Sequence, residues 1–283
     1  MLITHPATGR TFALGRRIPE FWRPTLDAER YLTGRVLPRH GFSSATAPVR
    51  PVGARWESKA IHALHAPLGN DLWGDCVFAA LFKQDVAWLR NAGDVTSPNP
   101  TEADAIGLYS RVTGFNPNAG ASGANPTDKG GDLQTALAYA KSHGIYADGR
   151  GKPASWVAVD PSKPALICAA LDTFGSLYTG CQLAPEWVQG PEEGFVWDVT
   201  SSAGSPDMGH CTAWFDYDAV GVIVNSWGLF GRITWAAIEK YWGKAAAGEI
   251  YAVFSPDWLN KATGTAPSGL NAAQLAADVK AGC

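Results

Sequence analysis

Clusters of charge of one sign are missing from this sequence. Only 17% of its 283 residues are charged, the net charge is −3, and the basic residues are dispersed along the chain. Proteins that bind nucleic acid commonly carry a basic patch or stripe, so we expect no nucleic-acid partner. The sequence also contains no run of about 18 apolar residues, the length of a membrane-spanning helix, and we expect no membrane partner.

Cysteine is also scarce, with five residues at positions 76, 168, 181, 211 and 283. A small disulfide-stapled domain usually carries a dense, even set, so a reducing compartment is expected. The spacings Cys-x-x-Cys and His-x-x-x-His, typical of zinc sites, do not occur, and “GRGKPAS” lacks the Lys-Ser/Thr step of a phosphate-binding loop. We therefore expect neither metal nor cofactor. The N-terminus has no apolar segment of signal-peptide type, which favours a cytoplasmic or virion-associated protein.

The predicted elements divide the chain into three parts. Residues 1–58, rich in Arg and Pro, form an N-terminal extended arm, 59–258 form the body, and 259–283 form a linker and a C-terminal helix. Helices are predicted at 75–91, about 101–112, 132–143 and 164–174, whereas “HCTAWFDYD”, “GVIVNSWG” and “EIYAVFS” are predicted strands. Helices first and strands later predict an α+β fold with a helical lobe (about 59–150) and a β-rich lobe (about 151–258).

One cysteine lies where its environment would favour chemistry. In “GNDLWGDCVFAALFKQ”, Cys76 falls at the predicted start of a helix. A cysteine in an Ala-rich helix is more often a core residue, but backbone N–H groups at a helix N-terminus stabilise a thiolate. A free thiol titrates near ~8.5, so a nucleophile at neutral pH also needs a base. The sequence must therefore supply a histidine from elsewhere.

His210 is the best placed of the six histidines. It opens a predicted strand after the loop “SSAGSPDMG”, and Asn225 stands on the next strand of the same predicted hairpin. An imidazole base needs a group that holds its ring in one tautomer, and an amide across the hairpin could do this. Alone, His210 would be a strand-end or metal-binding histidine about as often as a base, and Asn225 would usually be a turn or strand-end amide. Together with Cys76 they predict a nucleophile, a base and an orienting group.

Three segments resemble the papain-like cysteine peptidases. “DKGGDLQTALAYAKSHGI” is similar to the Gly-Gly segment and following helix of that family, “MGHCTAWFDYD” to its histidine strand, and “VIVNSWGLFG” to its Asn-Ser-Trp-Gly strand. His210 and Asn225 follow Cys76 by roughly 130–150 residues, the separation found in that family. The likeness covers about residues 60 to 255. It implies a papain-like two-lobe fold with a cleft between the lobes.

The resemblance implies a role for each matching residue. Cys76 would attack a carbonyl carbon, His210 would protonate the leaving group, Asn225 would orient the imidazole, and Trp227 would shield that pair from water. Gly130 and Gly131 would let an extended substrate backbone approach and pair, with Trp227 also on the substrate-binding surface. A helix-entry loop is an equally good interpretation of the two glycines. The implied partner is a peptide or protein substrate, with the arm or C-terminal helix available to a protein partner.

The segment before the cysteine departs from the family pattern. Trp73 stands where the family has a disulfide-forming Cys, and Asn70 stands where it has the Gln that binds the oxyanion. Asn70 carries the same amide donor on a shorter stem, so it is the oxyanion candidate, although an Asx turn would explain it as well. Asp75 would either cap the helix or raise the pKa of the thiol by like-charge repulsion.

Three functions fit these residues. The first is a cysteine peptidase that hydrolyses peptide or isopeptide bonds through a Cys-His-Asn triad and a thioester acyl-enzyme. The second is a papain-like fold retained as a structural or binding component of a larger assembly, for example a viral particle. The third is an amidase or transglutaminase-like acyl transferase, because the same thiol–imidazole pair serves those reactions.

Overall fold

The computed structural model describes residues 1–19, 25–31 and 54–282. The α-helices are α1 (Ala28–Tyr31), α2 (Ile61–Leu64), α3 (Cys76–Asn91), α4 (Glu102–Thr113), α5 (Leu133–His143), α6 (Pro164–Phe174), α7 (Trp235–Tyr241) and α8 (Ala272–Gly282). The strands are β1 (Leu2–Thr4), β2 (Thr11–Ala13), β3 (Leu26–Asp27), β4 (Ser155–Ala158), β5 (Leu177–Gln182), β6 (Phe195–Trp197), β7 (Gly209–Tyr217), β8 (Gly221–Ser226), β9 (Leu229–Thr234) and β10 (Glu249–Phe254). The long helices of the body lie within one residue of their predicted bounds.

Local capping explains these helix bounds. Thr101 and Asp104 form a reciprocal capping box at the start of α4, which ends at Gly114 in the left-handed conformation with φ 78°. Asp132 caps α5 by accepting a hydrogen bond from the backbone N–H of Thr135. Caps of this kind satisfy N–H groups that have no partner within the helix and are readable from sequence.

The main sheet has eight strands in the order β3-β4-β10-β5-β7-β8-β9-β6. Its pairs are antiparallel except β3–β4 and β6–β9, which are parallel. The predicted hairpin is β7–β8, in which Ala213 pairs with Asn225 and a bulge shifts the register between Trp214 and Asp216. The helix-rich part and this largely antiparallel sheet confirm the predicted α+β class.

Helix α3 is the central element of the core. Every side chain from Cys76 to Asn91 except Arg90 is buried, so the helix is enclosed on all sides. The polar residues on it must therefore find partners within the protein: Gln84 donates to the Ser176 hydroxyl at 2.9 Å, for example. This enclosure places the N-terminus of α3, with Cys76, deep in the molecule.

The N-terminal arm contacts the body. Strands β1 and β2 form a two-stranded antiparallel sheet, and residues 14–17 then pass across the body, where Arg16 forms a parallel bridge with Gly131. The predicted arm also contains the short helix α1; residues 20–24 and 32–53 of the arm lie outside the described residues.

The C-terminal segment packs on the body as well. In the predicted linker, Ala266 and Leu270 are buried, and on α8 Leu275 is buried. Removing these apolar side chains from water is favourable in free energy. No helix among the described residues has the length and apolar character needed to cross a membrane.

Candidate active site

Cys76 is the first residue of α3, and its side chain is buried, with 1% exposed. Burial raises the pKa of the thiol to about 12, and the neighbouring Asp75 carboxyl acts in the same direction. Backbone N–H groups of Cys211 and Gly15 face the sulfur and oppose this rise. In this state the thiol is protonated at neutral pH.

The thiol lies beside the backbone of His210. The N–H that faces the sulfur belongs to Cys211, the residue directly after His210 on β7. Within one peptide unit, that nitrogen is only about 2.4 Å from the preceding Cα. The structure therefore brings the predicted nucleophile to the backbone of β7 beside His210, whereas Nδ1 of the imidazole makes no hydrogen bond with the thiol.

The His210 ring is held by stacking and by one hydrogen bond. It lies parallel to the Trp227 indole, with ring centroids 4.2 Å apart and an interplanar angle of 18°. Its Nε2 hydrogen bonds the Ser226 hydroxyl at 2.8 Å, whereas Nδ1 has no hydrogen-bond partner among the described residues. Burial, with a smaller contribution from Lys83, lowers the pKa of His210 to about 3, so the resting imidazole is neutral.

Asn225 contacts a different group. Its side-chain oxygen accepts a hydrogen bond from Nζ of Lys83, and its Nδ2 has no partner among the described residues. Successive side chains of a strand point to opposite faces, which puts Ser226 on the face of the ring and Asn225 on the face of α3. The orienting role of Asn225 stays a prediction, and Ser226 is the residue that the structure places on the imidazole.

Lys83 is a functional candidate that sequence reasoning missed. It lies on the buried α3, where its ammonium also donates to the carbonyl oxygen of Leu64 at 3.1 Å. Burial lowers the pKa of Lys83 to about 7. A lysine within the apolar run “CVFAALFKQDVAW” was the available signal, because a charge at such a position is almost always paired.

Asn70, the oxyanion candidate, holds a peptide carbonyl. Its Nδ2 donates to the carbonyl oxygens of Ala13 and Trp73, each at 3.1 Å. The Ala13 oxygen also accepts from the Trp227 indole N–H at 2.9 Å. A carbonyl oxygen from the arm thus occupies the position where Asn70 and Trp227 converge, close to the start of α3.

Asp75 does not cap the helix. It is the N-cap residue of α3, but its side chain makes no capping hydrogen bond. Burial raises the pKa of Asp75 well above its ordinary value. Of the two predicted effects, capping is absent, and the electrostatic effect on the thiol has the predicted direction.

Gly130 and Gly131 pair with an extended backbone, and that backbone belongs to the chain itself. The N–H of Gly131 donates to the Gly15 carbonyl at 2.8 Å, and the Arg17 N–H donates to the Gly131 carbonyl at 2.7 Å. A Cβ on Gly130, which has φ 68°, would lie 1.7 Å from the Gly15 oxygen. Only glycine allows this approach.

The arm segment crosses the whole site. From Ala13 to Arg17 it contacts Asn70, faces the Cys76 thiol and pairs with Gly131, and Arg16 donates its N–H to the Gly209 carbonyl at 3.0 Å. We call residues 13–17 the cleft segment. The body therefore holds this extended segment of the same chain by main-chain hydrogen bonds.

Comparison with family models and with curated proteins finds no match. Solved structures do resemble the chain. The digestive procathepsin L2 proteinase from Tenebrio molitor larval midgut is 14% identical with a TM-score of 0.56, over 86% of this chain and 78% of that one. Digestive procathepsin L 3 of the same source is 13% identical with a TM-score of 0.50, over 75% and 72%. Xylellain, a cysteine protease from Xylella fastidiosa, is 12% identical with a TM-score of 0.45, over 65% and 80%.

Identities this low bear on the fold and not on the reaction. The procathepsin L2 structure matches the helical part and the antiparallel-rich sheet across most of both chains. The protein therefore has the papain-like fold that its motifs predicted, in a divergent form.

Proposed function

We propose that the protein is a cysteine peptidase, with Cys76 as nucleophile and His210 as general base and acid, whose own cleft segment holds it in a latent state. The observation that carries this proposal is the path of that segment. An extended stretch of polypeptide lies in the groove with Gly15 at the Cys76 sulfur and main-chain hydrogen bonds to Gly131 and Gly209.

We attribute part of the burial of Cys76 and His210 to the cleft segment. Burial raises the pKa of Cys76 to about 12 and lowers the pKa of His210 to about 3, so both groups are neutral. Displacing the segment would admit water to the thiol and lower the free-energy cost of charging Cys76 and His210. The thiolate–imidazolium pair that nucleophilic catalysis requires would then become accessible.

The reaction would follow from the groups along the groove. The Cys76 thiolate attacks the substrate carbonyl carbon, the amide C–N bond breaks, and His210 delivers its proton to the departing amine. Water then adds to the thioester carbonyl while His210 accepts a proton, the C–S bond breaks with Cys76 leaving as thiolate, and the carboxylic acid is released. The Asn70 amide, which donates to the Ala13 carbonyl oxygen in the latent state, would donate to the oxyanion instead.

The imidazole has two candidate positioning residues. Ser226 supports the ring in the latent state, while Asn225, the third member of the predicted triad, is bonded to Lys83. In the open enzyme we assign Asn225 the triad position that its motif implies, with Ser226 as the partner of the ring while the cleft is filled.

A second candidate function is a structural component that retains the fold. The neutral thiol, the neutral imidazole and the filled groove favour it, because nothing in that state is primed for attack. An acyl transferase would use the same thiol and differ only in the acceptor, an amine instead of water.

Full-length Gly15→Val protein tests the proposal. A Cβ at this position would lie 1.8 Å from the Gly74 carbonyl oxygen, so the variant cannot keep the segment in place. It should cleave peptides from a mixed library, with new termini read by mass spectrometry, and Gly15→Val/Cys76→Ala should not. A thiol that iodoacetamide reaches in a protein that cleaves nothing would favour the structural component, and products joined to an added amine would favour the acyl transferase.

A further inference from the structure

The arginine of the cleft segment enters a closed, charged pocket. The Arg16 side chain has 0% exposed surface, and its Nη2 lies 2.7 Å from Oε1 of Glu249, which is 2% exposed. Nε of Arg16 donates to the same oxygen at 3.1 Å, Nη2 to the Ala247 carbonyl at 2.6 Å, and Nη1 to Oε1 of Gln182 at 3.3 Å. Every nitrogen of the guanidinium therefore has an acceptor.

The acceptors are themselves held in place. The second oxygen of Glu249 accepts from the Tyr251 hydroxyl at 2.9 Å, and Tyr251 in turn accepts from Nε2 of Gln134 at 2.9 Å. Nε2 of Gln182 donates to the Pro206 carbonyl at 2.6 Å, which aims its oxygen at the guanidinium. These partners orient the acceptors before any arginine arrives.

The pocket belongs to the body and not to the arm. Glu249 lies on β10 and Gln182 ends β5, two strands of the main sheet. Gly180, also on β5, makes room, since a Cβ there would lie 2.9 Å from Nε of Arg16. The site would remain, open at one side, if the cleft segment withdrew.

The pocket also lies within the proposed reaction site. Gly15 faces the Cys76 sulfur, and Arg16 is the next residue, with its backbone bonded to Gly209. Any extended peptide that crosses the thiol in this groove must place a side chain at or near this pocket.

From this geometry we infer that the pocket lined by Glu249, Gln182 and the Ala247 carbonyl is a specificity subsite for arginine in the substrate, and that Arg16 occupies it as an internal mimic. The inference rests on the proposed peptidase function. The fork of acceptors matches a planar guanidinium, whereas a lysine ammonium would leave part of the set unpaired. The Glu249 carboxylate selects for a positively charged side chain. The Gln182 oxygen and the Ala247 carbonyl select for the planar shape of a guanidinium.

The test uses full-length Gly15→Val protein and fluorogenic peptides in which one arginine is moved across the residues flanking the scissile bond. Each peptide has a twin with citrulline, which keeps the size and loses the charge. We expect kcat/KM to favour arginine over citrulline by roughly ten- to a hundredfold at one position. The ratio should fall to about one in Gly15→Val/Glu249→Gln.

A binding measurement separates this inference from the peptidase proposal. Gly15→Val/Cys76→Ala protein cannot react, and fluorescence polarisation should still show the same preference for the arginine peptide. Preference in binding without cleavage by the Cys76 protein would retain the subsite and overturn the peptidase. Equal affinity for both twins, or a preference that persists in Glu249→Gln, would overturn the subsite.

A second variant covers the case in which Gly15→Val does not fold. Arg16→Ala empties the pocket and leaves Gly15 in place. Ethylguanidinium at millimolar concentration should raise the Tm of Arg16→Ala and leave the Tm of Arg16→Ala/Glu249→Gln unchanged. An equal response of the two variants would contradict a guanidinium pocket.

Discussion

The backbone N–H of Gly15 faces the sulfur of Cys76, so the residue that carries no side chain lies at the thiol. A Cβ there would lie 1.8 Å from the Gly74 carbonyl oxygen, so a residue with a side chain cannot occupy this position without a shift of the backbone. This contact makes the arm part of the site, and the chemistry of the site depends on whether the arm is in place.

Alkylation of Cys76 should respond to this contact. In the wild-type protein at pH 7.5, iodoacetamide should modify Cys76 slowly, because burial raises its pKa to about 12. Gly15→Val should accelerate the reaction at least about tenfold, since thiolate and access both increase. Mass-spectrometric mapping over time measures this rate, with Arg17→Val, at an exposed position of the same segment, as control. Equal rates in all three proteins would contradict the masking of the thiol by the segment.

His210 should make the protein sensitive to acid. Its pKa is lowered from 6.5 to about 3 by burial. Below pH 6.5, His210 is therefore protonated in the unfolded state but stays neutral in the folded state. The free energy of unfolding should then fall by about 1.4 kcal/mol per pH unit from this group, down to about pH 3.

Urea unfolding at pH 7 and pH 4.5 checks this difference. The loss in the wild-type protein should exceed that in His210→Gln by about 2–3 kcal/mol. His62→Gln, at an exposed position, should lose as much as the wild type. Identical losses in wild type and His210→Gln would show that His210 is not buried as a neutral ring.

The tautomer of His210 should depend on Ser226. The hydroxyl hydrogen bonds Nε2 at 2.8 Å, and this contact sets which nitrogen carries the proton. Ser226→Ala should change the ¹⁵N chemical shifts of the imidazole in the latent protein, whereas Ser110→Ala, on α4, should leave them unchanged.

Asn225 should affect the proposed peptidase more when the cleft segment is displaced than when it is in place. In the latent protein its oxygen is bonded to Lys83, so Asn225→Ala should leave the imidazole shifts near their wild-type values. In the Gly15→Val background it should lower kcat by about tenfold or more, with a smaller effect on KM. An unchanged kcat would remove Asn225 from the proposed triad and leave Ser226 as the positioning residue.

The buried pair of Arg16 and Glu249 should be energetically coupled. Arg16→Ala leaves a buried carboxylate without its partner, which costs about 3–5 kcal/mol in comparable pairs. Arg16→Ala/Glu249→Gln removes both charges and should recover a large part of that loss. Thermal and urea unfolding of the two single variants and the double variant give the coupling energy; additive losses would show that the two groups do not interact.

Much of this molecule is readable from local sequence. The caps at Thr101 and Asp132 and the left-handed glycine at position 114 mark helix ends within a residue, because each depends on groups only a few positions apart. The hairpin around His210 and Asn225 was predicted for the same reason. Cys76 at a helix N-terminus needed no information beyond its own segment.

The partners of those residues were not readable in the same way. Which side chain of β8 reaches the imidazole depends on the alternation of side chains along the strand and on the bulge between Trp214 and Asp216. A shift of one residue in the β7–β8 register would exchange Asn225 for Ser226 on a given face of the sheet. Lys83 could have been noticed as a charge in an apolar helix, but its partner on β8 is distant in the chain.

The amino-acid sequence alone determined the α+β class, the bounds of the long helices, and the positions of a thiol, an imidazole and an amide in an order typical of one family. Only the tertiary structure decided that the arm fills the groove and that Arg16 pairs with Glu249, residues 233 positions apart. The physical reason is that periodicity and capping are short-range, whereas occupancy of a groove depends on which distant surfaces match in shape and charge once the chain has folded.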